Sequence, residues 1–373
     1  MDKLNAPFRY DIVGSFLRPE AIKTARAQYA QGQITLDRLR DVEDVEVAKL
    51  IERQKAAGLH AVTDGEFRRR WWHLDFLAGF NGIEVYDFET DGFGVKKMMQ
   101  STYVSEPLSF DPAHPFLEGF KRTQEIAGDV PVKQTIAGPN MVTLDSVVLS
   151  AQYAANPVYR DLDELREALA KVYQNAIKAF YDAGCRYLQL DDTSWGALFS
   201  KRFRDRITAC GYDPDKLIDV FGDITEAALE GRPSDMVITT HMCKGNFMSH
   251  WLYEGTYETV ARRLLGIRGI DGFFLEYDDE RSGDFSPLRF LPKDTDQRVV
   301  LGLVTTKDPK LEDAAPIRDR IYEAAKVVDL DRLCLSLQCG FSSTEEGNVL
   351  SEEDQWKKLK LVREVAESVW ADA

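Results

Sequence analysis

Hydrophobic positions along this chain fall into two alternating patterns. Stretches with an apolar residue every three or four positions give way to short runs that are apolar almost throughout. The clearest helical stretch places Leu162, Leu165, Leu169, Val172, Ala176 and Phe180 on one face with charges between them. It stops at Gly184, a residue suited to end a helix, and the strand-like run Cys185 to Leu190 follows at once. Comparable helices are predicted over 36–57, 215–230, 256–266, 312–327 and 355–370. Eight strands are predicted: Asp11–Phe16, His60–Glu66, Val132–Gly138, Arg186–Asp192, Val237–Cys243, Gly272–Tyr277, Val299–Thr306 and Leu333–Gly340. Eight strands alternating with helices predict an α/β fold, a (β/α)8 TIM barrel, whose functional groups gather at the C-terminal ends of the strands.

Residues 81–130 break this alternation. Short runs such as Ile83-Glu84-Val85-Tyr86 and Met98–Val104, punctuated by Gly and Pro, predict a β-rich insertion between the second and third barrel strands. It is expected either to cover the barrel mouth or to decorate the surface. With no linker or repeat elsewhere, residues 1–373 are expected to form one domain.

Composition narrows the class. Hydrophobic residues make up 44% of the 373, enough for a large core, and the net charge of −15 argues against nucleic acid or an anionic membrane as partner. No apolar run predicts a signal peptide or a membrane span. The five cysteines, Cys185, Cys210, Cys243, Cys334 and Cys339, form no paired framework and suit the reducing cytoplasm.

The chemistry sits at the predicted strand ends. His241 and Cys243 are two residues apart, so in a strand they share a face. Glu276 and Cys339 close two further strands, and an imidazole, two thiolates and a carboxylate together favour zinc. Ser15, Glu66, Asp191, Asp192 and Lys307 end other strands. Any one of the small polar residues could simply cap a helix, but capping does not explain the set. Trp195, just past the fourth strand, is expected to stack on a flat ligand at the mouth. Arg68 to Trp72 could bind an acidic, flat ligand or start a helix packed on the barrel. Cys185, Cys210 and Cys334 carry no expected chemistry.

Together Val13-Gly14-Ser15-Phe16, Asp64-Gly65-Glu66, Pro131-Val132-Lys133 through Ala137-Gly138-Pro139, Gln189-Leu190-Asp191-Asp192, His241-Met242-Cys243, Glu276 and Gln338-Cys339-Gly340 resemble the C-terminal catalytic barrel of the cobalamin-independent methionine synthases. The resemblance runs over nearly the whole chain, in order. It implies zinc on His241, Cys243, Glu276 and Cys339, and homocysteine's amino-acid part on Ser15, Glu66 and Asp191. It further implies methyl transfer from 5-methyltetrahydrofolate, mono- or polyglutamylated, to give methionine.

Three departures qualify it. Longer members carry a second, N-terminal barrel that this sequence lacks. The family's Asp-Glu-Pro after the fourth strand reads Asp191-Asp192-Thr193. The histidine expected to protonate the departing folate is replaced by Lys307, whose ordinary pKa is high for a general acid, so either Lys307 with a depressed pKa or Asp192 must supply the proton. Two alternatives stay open: alkyl transfer to another small thiol or from a corrinoid, sulfonium or epoxide donor, and a non-catalytic zinc-binding barrel. Homo-oligomerisation is also open.

Overall fold

A computed structural model of the chain describes residues 3–90 and 97–373. Two long strands, β1 (Phe80–Thr90) and β2 (Lys97–Phe110), pair antiparallel as a hairpin. The barrel wall follows: β3 (Lys133–Ala137), β4 (Tyr187–Asp191), β5 (Val237–Met242), β6 (Gly272–Glu276), β7 (Arg298–Val304) and β8 (Leu333–Leu337), parallel and hydrogen-bonded in that order. From β3 to β6 every residue is buried. Strands covered on both faces read as continuous apolar runs, which is why the sequence shows them without alternation.

The predicted first and second strands fill the gap between β8 and β3 through single bridges. Tyr10 pairs with Leu335 and Val62 with Val132, both parallel. Asp11 N–H donates to Leu335 O at 3.1 Å, Lys133 N–H to Val62 O at 2.9 Å, and Phe16 N–H to Gly65 O at 3.0 Å. The chain here is extended but not regular, because Gly14, Gly65 and Glu66 all take positive φ. The (β/α)8 barrel closes, and these segments spend their residues on shaping its mouth.

The helices around the wall, among the described residues, include α1 (Glu20–Ala30), α2 (Leu36–Ala56), α3 (Pro115–Ala127), α4 (Leu162–Asp182), α5 (Pro214–Leu229), α6 (Glu258–Leu265), α7 (Ala314–Ala324) and α8 (Glu352–Val369). In α4 the predicted apolar face is the buried one, and Asp161 caps it by accepting from Glu164 N–H at 2.9 Å. α8 opens with a capping box between Ser351 and Asp354.

The 81–130 segment needs correction. Its β-rich part is the hairpin, and residues 115–127 are instead helix α3, the crossover that a parallel barrel requires before β3. Leu117, Phe120, Thr123 and Ala127 are its buried face. Residues 91–96 of the predicted insertion lie outside the described residues.

Inside the barrel, at the N-terminal ends of the strands, a buried polar layer closes the floor. Lys133 Nζ lies 3.2 Å from Asp11 Oδ1 and 4.0 Å from the centre of the Phe274 ring, and Tyr187 OH donates to Asp11 Oδ2 at 2.7 Å. Among the described residues no helix is long and apolar enough to cross a membrane.

Candidate active site and metal centre

At the opposite end of the barrel, three soft donors meet. His241 sits near the end of β5, Cys243 just beyond it, and Cys339 just beyond β8. One ligand atom from each lies within 4.8 Å of the others, and all three residues are buried. Both ring nitrogens of His241 lack a hydrogen-bond partner. A buried polar atom left unpaired is costly, so an imidazole in this state is suited to a ligand. Cys243 Sγ accepts from Gly245 N–H at 3.3 Å, and Cys339 Sγ lies 3.7 Å from Ser343 Oγ. Cys339, beside Cys243, His241 and Lys307, is held well below the usual thiol range despite its burial. Cys243 keeps its proton, raised by Cys339 and by burial. A thiolate, a thiol and an imidazole within reach of one another could hold a metal ion.

The cluster opens into a cavity of about 580 Å³ at the C-terminal ends of the strands, also lined by Ser15, Glu66 and Asp191. Glu66 takes φ 61°, a left-handed conformation rare outside glycine. The turn aims its carboxylate inward, where Oε1 accepts from Thr135 Oγ1 at 3.2 Å and faces Arg69 at 3.5 Å. Oε2 has no partner. Burial raises the Glu66 carboxyl in spite of Arg69 and Arg18. Asp191, at the end of β4, accepts from Gln189 Nε2 at 2.7 Å, and burial pushes it up to about 7 against the opposing pull of His241. Ser15 Oγ accepts from Ser342 N–H at 3.2 Å. It lies so close to Gly340 that a Cβ there would collide with it.

Three nominated polar residues stand apart from the cavity wall. Glu276, fully buried, accepts from Lys244 N–H at 2.8 Å and pairs with Lys307 at 3.2 Å and Arg281 at 3.4 Å. It neighbours the three donors without joining them. Lys307 is correspondingly tied: burial favours its neutral form, but Glu276, Asp278, Cys339 and Cys243 outweigh that and raise its pKa. Its expected depression is therefore reversed. Asp192 turns away from the cavity to Asn140 Nδ2 at 2.9 Å and to Ser194. Burial pushes its carboxyl up to about 6.

A family profile described as cobalamin-independent synthase, catalytic domain, matches residues 9–368. The chain belongs to this family. An uncharacterized Bacillus subtilis (strain 168) protein, YxjH, is 47% identical over 368 residues, covering 98% of this chain and 95% of the relative. A Listeria monocytogenes structure, provisionally named a vitamin-B12-independent methionine synthase, is 40% identical with a TM-score of 0.77 and covers 98% of both chains. The 5-methyltetrahydropteroyltriglutamate–homocysteine methyltransferase of Trichodesmium erythraeum is 22% identical over 339 residues. That match takes in 89% of this chain but only 40% of the relative.

In this family member the aromatic surface of the cavity lies not at Trp195 but in the other candidate segment, Arg68 to Trp72. Trp195 is in the core, edge-on to Phe221 at 5.6 Å. Trp71 and Trp72 line the cavity instead, with Phe88 and Met99 from the hairpin. Trp71 stacks on Phe247 at 5.8 Å. The hairpin is thus part of the cavity wall. Sequence reasoning missed Asn246, which joins three strand-end loops by donating to Gly340 O at 3.0 Å and Thr306 Oγ1 at 3.3 Å. It also missed Asp145 and Arg206, which line the same cavity. A signal existed only for the tryptophans, as the Trp pair directly after the second strand.

Proposed function

We propose that this protein is a zinc-dependent methyltransferase that methylates the thiol of homocysteine to give methionine. The observation that carries this reading is the convergence of His241, Cys243 and Cys339 in one cavity with Ser15, Glu66 and Asp191. The three donors would hold the zinc ion, and Glu276 would be the fourth protein ligand. A bound zinc would supply the positive charge that keeps a substrate thiol ionised at neutral pH. Glu66 and Asp191 would pair with the substrate ammonium, and Ser15 would meet its carboxylate. Lys307 and Arg281, paired with Glu276, would restrain it beside the three donors. Family membership, the activity of the longer Trichodesmium relative and the aromatic wall support 5-methyltetrahydrofolate as donor, in a cytoplasmic enzyme.

A second reading keeps the thiol half and changes the donor to one whose leaving group needs no proton. Lys307 favours it, since its charge is committed to Glu276 and its pKa is raised. Purified enzyme assayed with homocysteine and a panel of donors decides between them. About one zinc per chain is expected, lost on Cys339→Ser or Cys243→Ser while the fold is retained; full zinc occupancy in Cys339→Ser would refute the assignment.

A further inference from the structure

The cavity is also lined by residues outside the donor cluster and its acidic neighbours. They include Asp145 from the π-helical turn Val142–Val148, Arg206 from helix 201–209, and Tyr253. Single π-turns recur at functional sites because they re-aim one side chain. Four acidic residues line the cavity: Glu66, Glu89, Asp145 and Asp191. Glu66 and Asp191 are engaged beside the donor cluster, and Glu89 has an interaction of its own. Asp145, half-buried and open to the cavity, has no hydrogen-bond or ion-pair partner among the described residues.

A methyl group leaving a tertiary amine places an electron pair on nitrogen, and that nitrogen must be protonated to leave well. Lys307 and Asp192 do not line the cavity. We propose that Asp145 is the catalytic acid that protonates the leaving nitrogen of an N-methyl donor of the reduced-pterin class. This rests on the folate reading given above. The substrate sulfur forms a bond to the methyl carbon, the carbon–nitrogen bond breaks, and its electron pair stays on nitrogen, which takes the proton of the Asp145 carboxyl. The carboxylate then regains a proton from solvent, matching the one the thiol released on ionisation. Asp145 suits the task, because burial pushes its carboxyl up to about 7, with Arg206 opposing and Asp192 reinforcing the rise. The phenol of Tyr253 stays neutral beside it, raised mainly by burial.

The test uses the full-length, zinc-loaded protein with homocysteine and 5-methyltetrahydrofolate. Asp145→Asn should lower kcat by about 10²–10⁴-fold with little change in KM for the donor. It should also abolish the fall in rate that wild type shows above neutral pH, and Asp145→Glu should restore both in part. Wild-type kcat and pH profile in Asp145→Asn, or a change confined to KM, would overturn the acid role. If Asp145→Asn does not fold, the wild-type profile alone decides, since an acid is refuted by a rate that does not fall on the alkaline side. The donor reading fails separately if wild type alkylates homocysteine with methyl iodide but never turns over methyl-folate, and the acid role then fails with it.

Discussion

Asp191 must be charged to hold an ammonium, yet burial leaves its carboxyl near pH 7. The sign follows directly. Above about 7 the carboxylate is present and, in the proposed role, would attract the substrate amine; below it Asp191 is neutral and that attraction would fade. Homocysteine affinity, followed by calorimetry on zinc-loaded protein, should therefore weaken as pH falls from 8 to 6. Asp191→Asn should remove most of that dependence. At pH 8, Glu66→Gln and Asp191→Asn should each cost on the order of 1.5–3 kcal/mol of binding while zinc content holds. Unchanged affinity in both would point to an acceptor without an amino group. His241 and Cys243 were legible in the sequence because strand periodicity puts them on one face, and Cys339 because it closes another strand. The placement of Glu276 was not, since Lys307 and Arg281, which hold it, come from other strand-end segments. Trp195 misled because it follows the strand end, where the chain turns back into the core and periodicity no longer applies.

Between elements, the hairpin and α3 show where punctuation deceives. Pro115, Gly119 and Gly128 read as loop signals, yet Pro115 occupies the first helical turn, where a missing N–H costs nothing, and Gly128 ends the helix. The spacing of Leu117, Phe120, Thr123 and Ala127 carried the helical signal. The hairpin strands themselves were readable from their alternation. Their docking was not, because it depends on distant contacts such as Thr102 Oγ1 with Ser146 Oγ at 2.6 Å and Leu108 N–H donating to Tyr159 OH at 2.7 Å. Met99 packs with Trp71, Leu74 and Phe247 at the mouth. Met99→Ala should loosen this wall by about 2 kcal/mol and raise KM for the methyl donor several-fold, with homocysteine affinity unchanged. Equal effects on both substrates would detach the hairpin from the donor site.

Across the whole barrel, the donor cluster links β5 to β8, two strands that are not neighbours in the sheet. A metal there would join distant parts of the wall. Zinc-loaded protein should melt several degrees above the chelator-treated form, by the mass-action stabilisation of a ligand that binds only the folded chain. The stripped barrel should still melt cooperatively, because its core is built without the site. A melting point indifferent to zinc would speak against the cluster as a metal centre. The barrel floor has a different kind of consequence. Asp11, Lys133, Tyr187 and Phe274 close the far end, so in the proposed reading the thiol end of the cavity would be reached past the space that the methyl donor fills. In kinetic language, this is a compulsory queue. The thiol should then enter first and its methylated product leave last, and the demethylated donor should inhibit turnover by keeping that product behind it; random-order product-inhibition kinetics would refute this.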